Sequence, residues 1–320
     1  MKTGKGYAFW TSVLYILLFS GAQAAVAAVG SYALIPRLIS QVMNILSNPY
    51  YYFDLYSLEG LFSELGPFIY AVITISDILA VAILLIYLSH KKYKTKEYLE
   101  ITKPETKTVL MAVLLAFGYV IILMSILGKM PSDIMDSYAQ SSSALASGDT
   151  SFGSIFMEVL AVVLVAPVSE EIFFRGAIYS RLREHFDLWP AVLICSALFG
   201  LQHFGLVWFS YTFVLSIILC LVREYYQSIV PCITIHMVFN LFGSFMGYLS
   251  LSKTANAVLL VSAIAAFAAG AVLFFANKKE HRPYLEALGI YEVKRSLFCT
   301  SCGAKSDGNS NFCSNCGHKL

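Results

Sequence analysis

The stretch from Phe152 to Gly176, FGSIFMEVLAVVLVAPVSEEIFFRG, decides the fold. From Phe152 to Val168 it is apolar except for Glu158, and it reads as a membrane span. It closes on Ser169-Glu170-Glu171-Ile172-Phe173-Phe174-Arg175-Gly176, two adjacent carboxylates followed by an arginine. Charged side chains at membrane depth cost about 2.5–3.5 kcal/mol each on insertion scales, so they mark a pathway or a reaction centre. Further polar groups recur inside apolar segments downstream: His203 after Phe199, and His236 with Asn240. A Glu, two His and an Asn within lipid-facing sequence point to chemistry.

The rest of the chain agrees with a membrane class. Of its 320 residues 58% are hydrophobic and only 13% charged, against roughly 25% charged in soluble domains. A net charge of +2 gives no argument for a nucleic-acid partner; the expected surroundings are the lipid bilayer. Apolar runs predict an all-α polytopic protein of about eight transmembrane helices, over 8–30, 66–89, 108–128, 152–170, 189–206, 207–222, 229–250 and 256–276. Basic residues fall in alternate connections. Lys2 and Lys5 come before the first span, Lys91, Lys92, Lys94 and Lys96 after the second, and Arg181 and Arg183 after the fourth. Arg223 follows the sixth span, and Lys278 and Lys279 the eighth. The positive-inside rule then places both termini in the cytoplasm.

Ala22-Gln23-Ala24 imitates a signal-peptide cleavage site, but the apolar residues continue towards Ile35, so an uncleaved first helix is expected. Residues 1–151 hold three spans and an external Ser/Ala/Gly-rich loop over 129–151. Asp77 is the lone charge inside those spans and reads as a packing residue. Residues 152–250 carry every polar group that looks functional, 251–296 the last span and a charged linker, and 297–320 a cysteine module.

That module contains Cys299-Thr300-Ser301-Cys302-Gly303 and Cys313-Ser314-Asn315-Cys316-Gly317. Two matched knuckles supply four thiolates, Cys299, Cys302, Cys313 and Cys316, which suits a closed tetrahedral structural zinc site. So short a segment cannot build a core, and the metal would supply most of its folding energy. Cys195, Cys220 and Cys232 lie singly in apolar spans as small hydrophobes.

On one continuous helix, Glu170 and Glu171 diverge by about 100° and are not expected to face one site. Glu171 and Arg175 are i,i+4 neighbours in the favourable order for an ion pair, leaving Glu170 to point into the bundle. His236 and Asn240 share a helix face. Hydrolysis of a peptide bond needs an activated water and a donor for the oxyanion. Glu170 with His203 could provide the first, His236 and Asn240 the second. The same Glu, His and His could instead hold a catalytic metal.

Glu170-Glu171-x-x-x-Arg175, Phe199-x-x-x-His203 and His236-x-x-x-Asn240 resemble, in order, the three motifs of the CPBP family, the CAAX proteases and bacteriocin-processing enzymes. The resemblance covers roughly residues 152–250. It implies an intramembrane endopeptidase with Glu170 as general base, His203 positioning water, His236 and Asn240 at the oxyanion, and Glu171 and Arg175 in support. It admits a metal-dependent and a glutamate-dependent route; the expectation is the latter, with no catalytic cofactor. The cysteine module is similar to zinc ribbons appended to many bacterial membrane proteins, so the bacterial plasma membrane is the expected location. The substrate would be a peptide or membrane-protein segment, and the ribbon could recruit a cytoplasmic partner. A non-catalytic immunity or scaffold protein on the same fold is the alternative. A proton-coupled transporter fits less well, because no matching half-repeat is present. One difficulty is depth. Straight helices would put His203 near the outer face, away from Glu170 and His236, unless the fifth helix is tilted or broken near Pro190 or Gly200.

Overall fold

Apolar runs without water must pair every backbone N–H within their own segment, so they fold as helices. All eight apolar segments do so. The computed structural model describes residues 4–47, 55–90, 95–142, 151–203, 205–246, 249, 251–277, 301–302, 304, 315–316 and 318. The chain divides into two compact units, Met1–Lys279 and Glu280–Leu320. The helices of the first are α1 (Lys5–Ser47), α2 (Leu55–His90), α3 (Thr95–Tyr98), α4 (Thr106–Leu127), α5 (Ser132–Ser142), α6 (Phe152–Arg183), α7 (Leu188–Leu201), α8 (Leu206–Tyr226), α9 (Val230–Phe245) and α10 (Lys253–Asn277).

Six of these are long and apolar enough to cross a membrane, which makes this a multi-pass membrane protein. The expectation of eight full spans is corrected at α7 and α9. With 14 and 16 residues, they measure about 21 and 24 Å, short of the roughly 30 Å hydrocarbon core. A second correction concerns the fourth span, which continues to Arg183 instead of ending near residue 170. Glu170 and Glu171 therefore lie well inside a 32-residue helix. A third concerns the connection 129–151, where Ser132–Ser142 forms α5. The linker around Tyr284–Ile290 lies outside the described residues.

Helix α6 runs between α1 and α2 on one side and α8 and α9 on the other. A second layer joins α4 to α8, α9 and α10 through Met111, Leu115, Leu219, Ile235 and Phe239, all buried. The closest approach is α4 on α10. A Cβ on Gly118 would stand 2.5 Å from Phe267 Cβ and 2.7 Å from the Ala263 carbonyl oxygen. Small residues at such crossings let backbones come together where lipid gives no hydrophobic drive. Gly118→Leu should therefore destabilise the bundle by about 1–3 kcal/mol through overpacking, read as a lower unfolding midpoint in detergent.

One end of the bundle is tied by ion pairs. Arg223 pairs with Glu100 and its other terminal nitrogen donates to Ser180 Oγ at 3.1 Å. Arg183 grips both oxygens of Glu224 at 3.0 Å, and Arg181 pairs with Glu184. The Ser228 hydroxyl donates to the Thr102 carbonyl at 2.8 Å. Thus the connections after α3, α6 and α8, which the charge pattern assigns to one membrane side, do meet at one end.

Candidate active site

Glu171 and Arg175 are fully buried, and the terminal nitrogen Nη1 of Arg175 donates to Glu171 Oε1 at 2.7 Å. A guanidinium in this position needs every donor met. Its other terminal nitrogen donates to Ser216 Oγ of α8 at 2.7 Å, and its carbon centre stands 4.5 Å over the Phe199 ring, a cation–π contact. His236, from α9, donates through Nδ1 to the same Glu171 oxygen at 2.9 Å. One carboxylate thus joins three helices.

Glu170 approaches the other edge of that imidazole. Its Oε2 stands 3.8 Å from His236 Nε2, too long for a direct hydrogen bond. This oxygen is buried and makes no hydrogen bond among the described residues. The two carboxylates were expected to face different sites; instead the ring of His236 enters at the boundary between their faces and presents one nitrogen to each. Divergence by about 100° along the helix is what allows the two edges of one ring to be served.

Glu170, His203, His236 and Asn240 all line one cavity of ≈ 550 Å³. His203 is at the depth of the others, so the difficulty over its position is removed by the brevity of α7, which ends at Leu201. The chain then reverses over 202–205, where Gly205 adopts φ 101°, a conformation that costs glycine little. His203 Nδ1 faces the Phe199 carbonyl at 3.0 Å. A carbonyl only accepts, so Nδ1 carries the proton and Nε2 is a lone pair. By the same reasoning the neutral ring of His236, with Nδ1–H on Glu171, also has a free Nε2 lone pair. Such anchored rings suit water or metal alike. No three His, Cys, Asp or Glu side chains among the described residues are gathered as a metal ligand set.

The helix carrying the glutamates is not regular. Residues Val159–Val165 and Ile172–Ile178 form π-helical turns, with an α-helical piece, Ala166–Glu171, between them. Such wide turns concentrate at functional sites. Asn240 acts on the first of them: its side-chain nitrogen donates to the Val162 carbonyl at 2.8 Å.

Several residues escaped the sequence reading. Asp77, taken as packing, lines the cavity. Its carboxylate accepts from Gln23 Nε2 at 3.1 Å and lies 2.7 Å from the hydroxyl of Ser169, the residue before Glu170. Its one available signal was being the only charge inside the first three spans. Ser216 had no signal, because single serines in apolar helices commonly bond to their own backbone. Opposite the polar wall stand Leu123, Met124, Trp208 and Phe239, which suit an apolar substrate group.

In the second unit, Ser301-Cys302 and Asn315-Cys316 each lie in a turn, and the Asn315 side-chain nitrogen donates to Cys302 Sγ at 3.6 Å. Cys299 and Cys313 lie outside the described residues. The donor set is compatible with zinc at the level of chemistry: soft sulfurs brought into matched turns, with an amide N–H directed at one of them.

Compared with known proteins, residues 152–242 match the family described as Rce1-like, Type II CAAX prenyl endopeptidase Rce1-like. That region holds α6 to α9 and all four cavity residues singled out above, and the match implies CAAX-type intramembrane protease activity. It does not reach the cysteine tail. No curated protein and no solved structure matches the chain.

Proposed function

We propose that the chain is an intramembrane endopeptidase that hydrolyses a peptide bond with a water activated by Glu170 and His203. The observation that carries this reading is the unpaired Glu170 oxygen beside His236 Nε2, in a cavity it shares with His203. A carboxylate left without a partner at this depth is costly, which is the usual mark of a group retained for chemistry. Glu170 takes a proton from the water, while the His203 Nε2 lone pair accepts a second hydrogen bond and fixes its direction. Attack on the scissile carbonyl places negative charge on its oxygen. His236 meets that charge when doubly protonated, its own charge balanced by Glu171, and Asn240 has a second amide N–H to offer. Glu170 then returns the proton to the leaving amine, and the C–N bond breaks.

The substrate is a peptide or membrane-protein segment with an apolar group for the Trp208 side of the cavity. The protein would sit in a bacterial plasma membrane with both termini cytoplasmic, supported by the basic connections that meet at one end of the bundle. The tail would fold around one structural zinc held by Cys299, Cys302, Cys313 and Cys316, offering a cytoplasmic docking module. The test is to compare peptide termini in cells carrying the wild type or Glu170→Gln at equal expression. New termini confined to the wild type are expected. Identical termini would leave the chain as a non-catalytic scaffold.

Metal content separates the two chemical routes. Purified wild type should contain about one zinc per chain, and Cys299→Ser with Cys302→Ser should remove it. With the glutamate route, cleavage by that variant survives chelators. A second equivalent, retained by the variant and lost together with activity, would make the enzyme a metalloprotease.

A further inference from the structure

We propose that Asn240 is a positioning residue, supplying to the Val162 carbonyl the hydrogen-bond donor that Pro167 lacks and so holding the turn that aims Glu170 into the cavity. The activity readout below rests on the protease reading; the stability readout does not.

In the first π-helical stretch each N–H reaches back five residues, as the Ala166 N–H does to the Ala161 carbonyl. The next such pair would join residue 167 to Val162. Residue 167 is proline, with no N–H, and the Ala166 N–H, which would serve Val162 in an α-helical register, is directed to Ala161. Val162 would therefore keep an unmet carbonyl at membrane depth, where no solvent competes to satisfy it. The Asn240 nitrogen lies 2.8 Å from that oxygen. Because a carbonyl only accepts, the orientation of the Asn240 amide follows from chemistry. One helical turn earlier on the same face of α9, His236 holds Glu171. The two contacts bracket Pro167 to Glu170. If the Asn240 contact is lost, the Val162 carbonyl is paired again only by a change of helical register, which rotates Glu170 relative to His203 and His236.

The experiment uses four full-length proteins: wild type, Asn240→Ala, Pro167→Ala and the double variant, which gains a backbone N–H at position 167. Each is unfolded thermally in detergent. Each is also assayed with an internally quenched peptide bearing an S-farnesyl cysteine three residues before its C-terminus. Asn240→Ala should lower the unfolding midpoint and reduce kcat by about 10- to 100-fold, with KM within about twofold. Pro167→Ala alone should stay within about threefold of wild type, and the double variant should recover both midpoint and kcat to about that level. A double variant as impaired as Asn240→Ala would overturn the proposal. So would recovery of the midpoint without kcat, which would make Asn240 a direct oxyanion donor, or a Pro167→Ala protein as inactive as Asn240→Ala. If wild type leaves the peptide intact, the protease reading fails for that probe, while recovery of the midpoint still decides the pairing.

Discussion

Glu170→Gln should abolish peptide cleavage, with kcat reduced by about 10²–10⁴-fold or more, while leaving the fold intact. The side chain keeps its shape and loses only its capacity to accept a proton. Stability should be unchanged or increased, because Glu170 Oε2 is buried without a hydrogen bond and the replacement removes an unpaired carboxylate from a dry site. Activity and unfolding midpoint therefore move in opposite directions or apart. A parallel loss of both would show that Glu170 is a packing element and remove it as the base.

The second large effect is expected at Arg175. Arg175→Met should destabilise the protein by about 3–5 kcal/mol, because one half of a buried ion pair is left uncompensated. Glu171 would then keep its contact to His236 and lose the guanidinium, while Ser216 and the Phe199 face would lose their partner. Adding Glu171→Gln to the same chain should return a substantial part of that loss, since neutralising both partners removes the stranded charge. Unfolding of the single and double variants in mixed micelles measures this coupling. Additive losses would mean that the two charges are separately satisfied. Glu170 and Glu171, adjacent in sequence, thus give opposite signatures: loss of chemistry at one, loss of stability at the other.

Much of this was legible before any coordinates. Helix positions follow from the lengths of apolar runs, because lipid enforces local backbone pairing. The Glu171–Arg175 pair and the shared face of His236 and Asn240 follow from i,i+4 spacing, which is local geometry. The ordered triplet Glu170-Glu171-x-x-x-Arg175, Phe199-x-x-x-His203 and His236-x-x-x-Asn240 pointed to the same region, 152–242, that the family match covers.

What stayed hidden depends on where helices end and how they cross. Hydropathy marks α7 and α9 as apolar but does not place their ends at mid-depth, so His203 looked displaced from its partners. Periodicity along α6 separates Glu170 from Glu171, yet one imidazole from a helix 65 residues away touches Glu171 on one edge and approaches Glu170 with the other. Asp77 reaches Ser169 across 92 residues, and Asn240 reaches a carbonyl 78 residues away. Backbone propensity and periodicity carry no term for such contacts. Which element each residue belongs to is local in origin; which residues share a cavity follows from the packing of short and irregular helices against long ones.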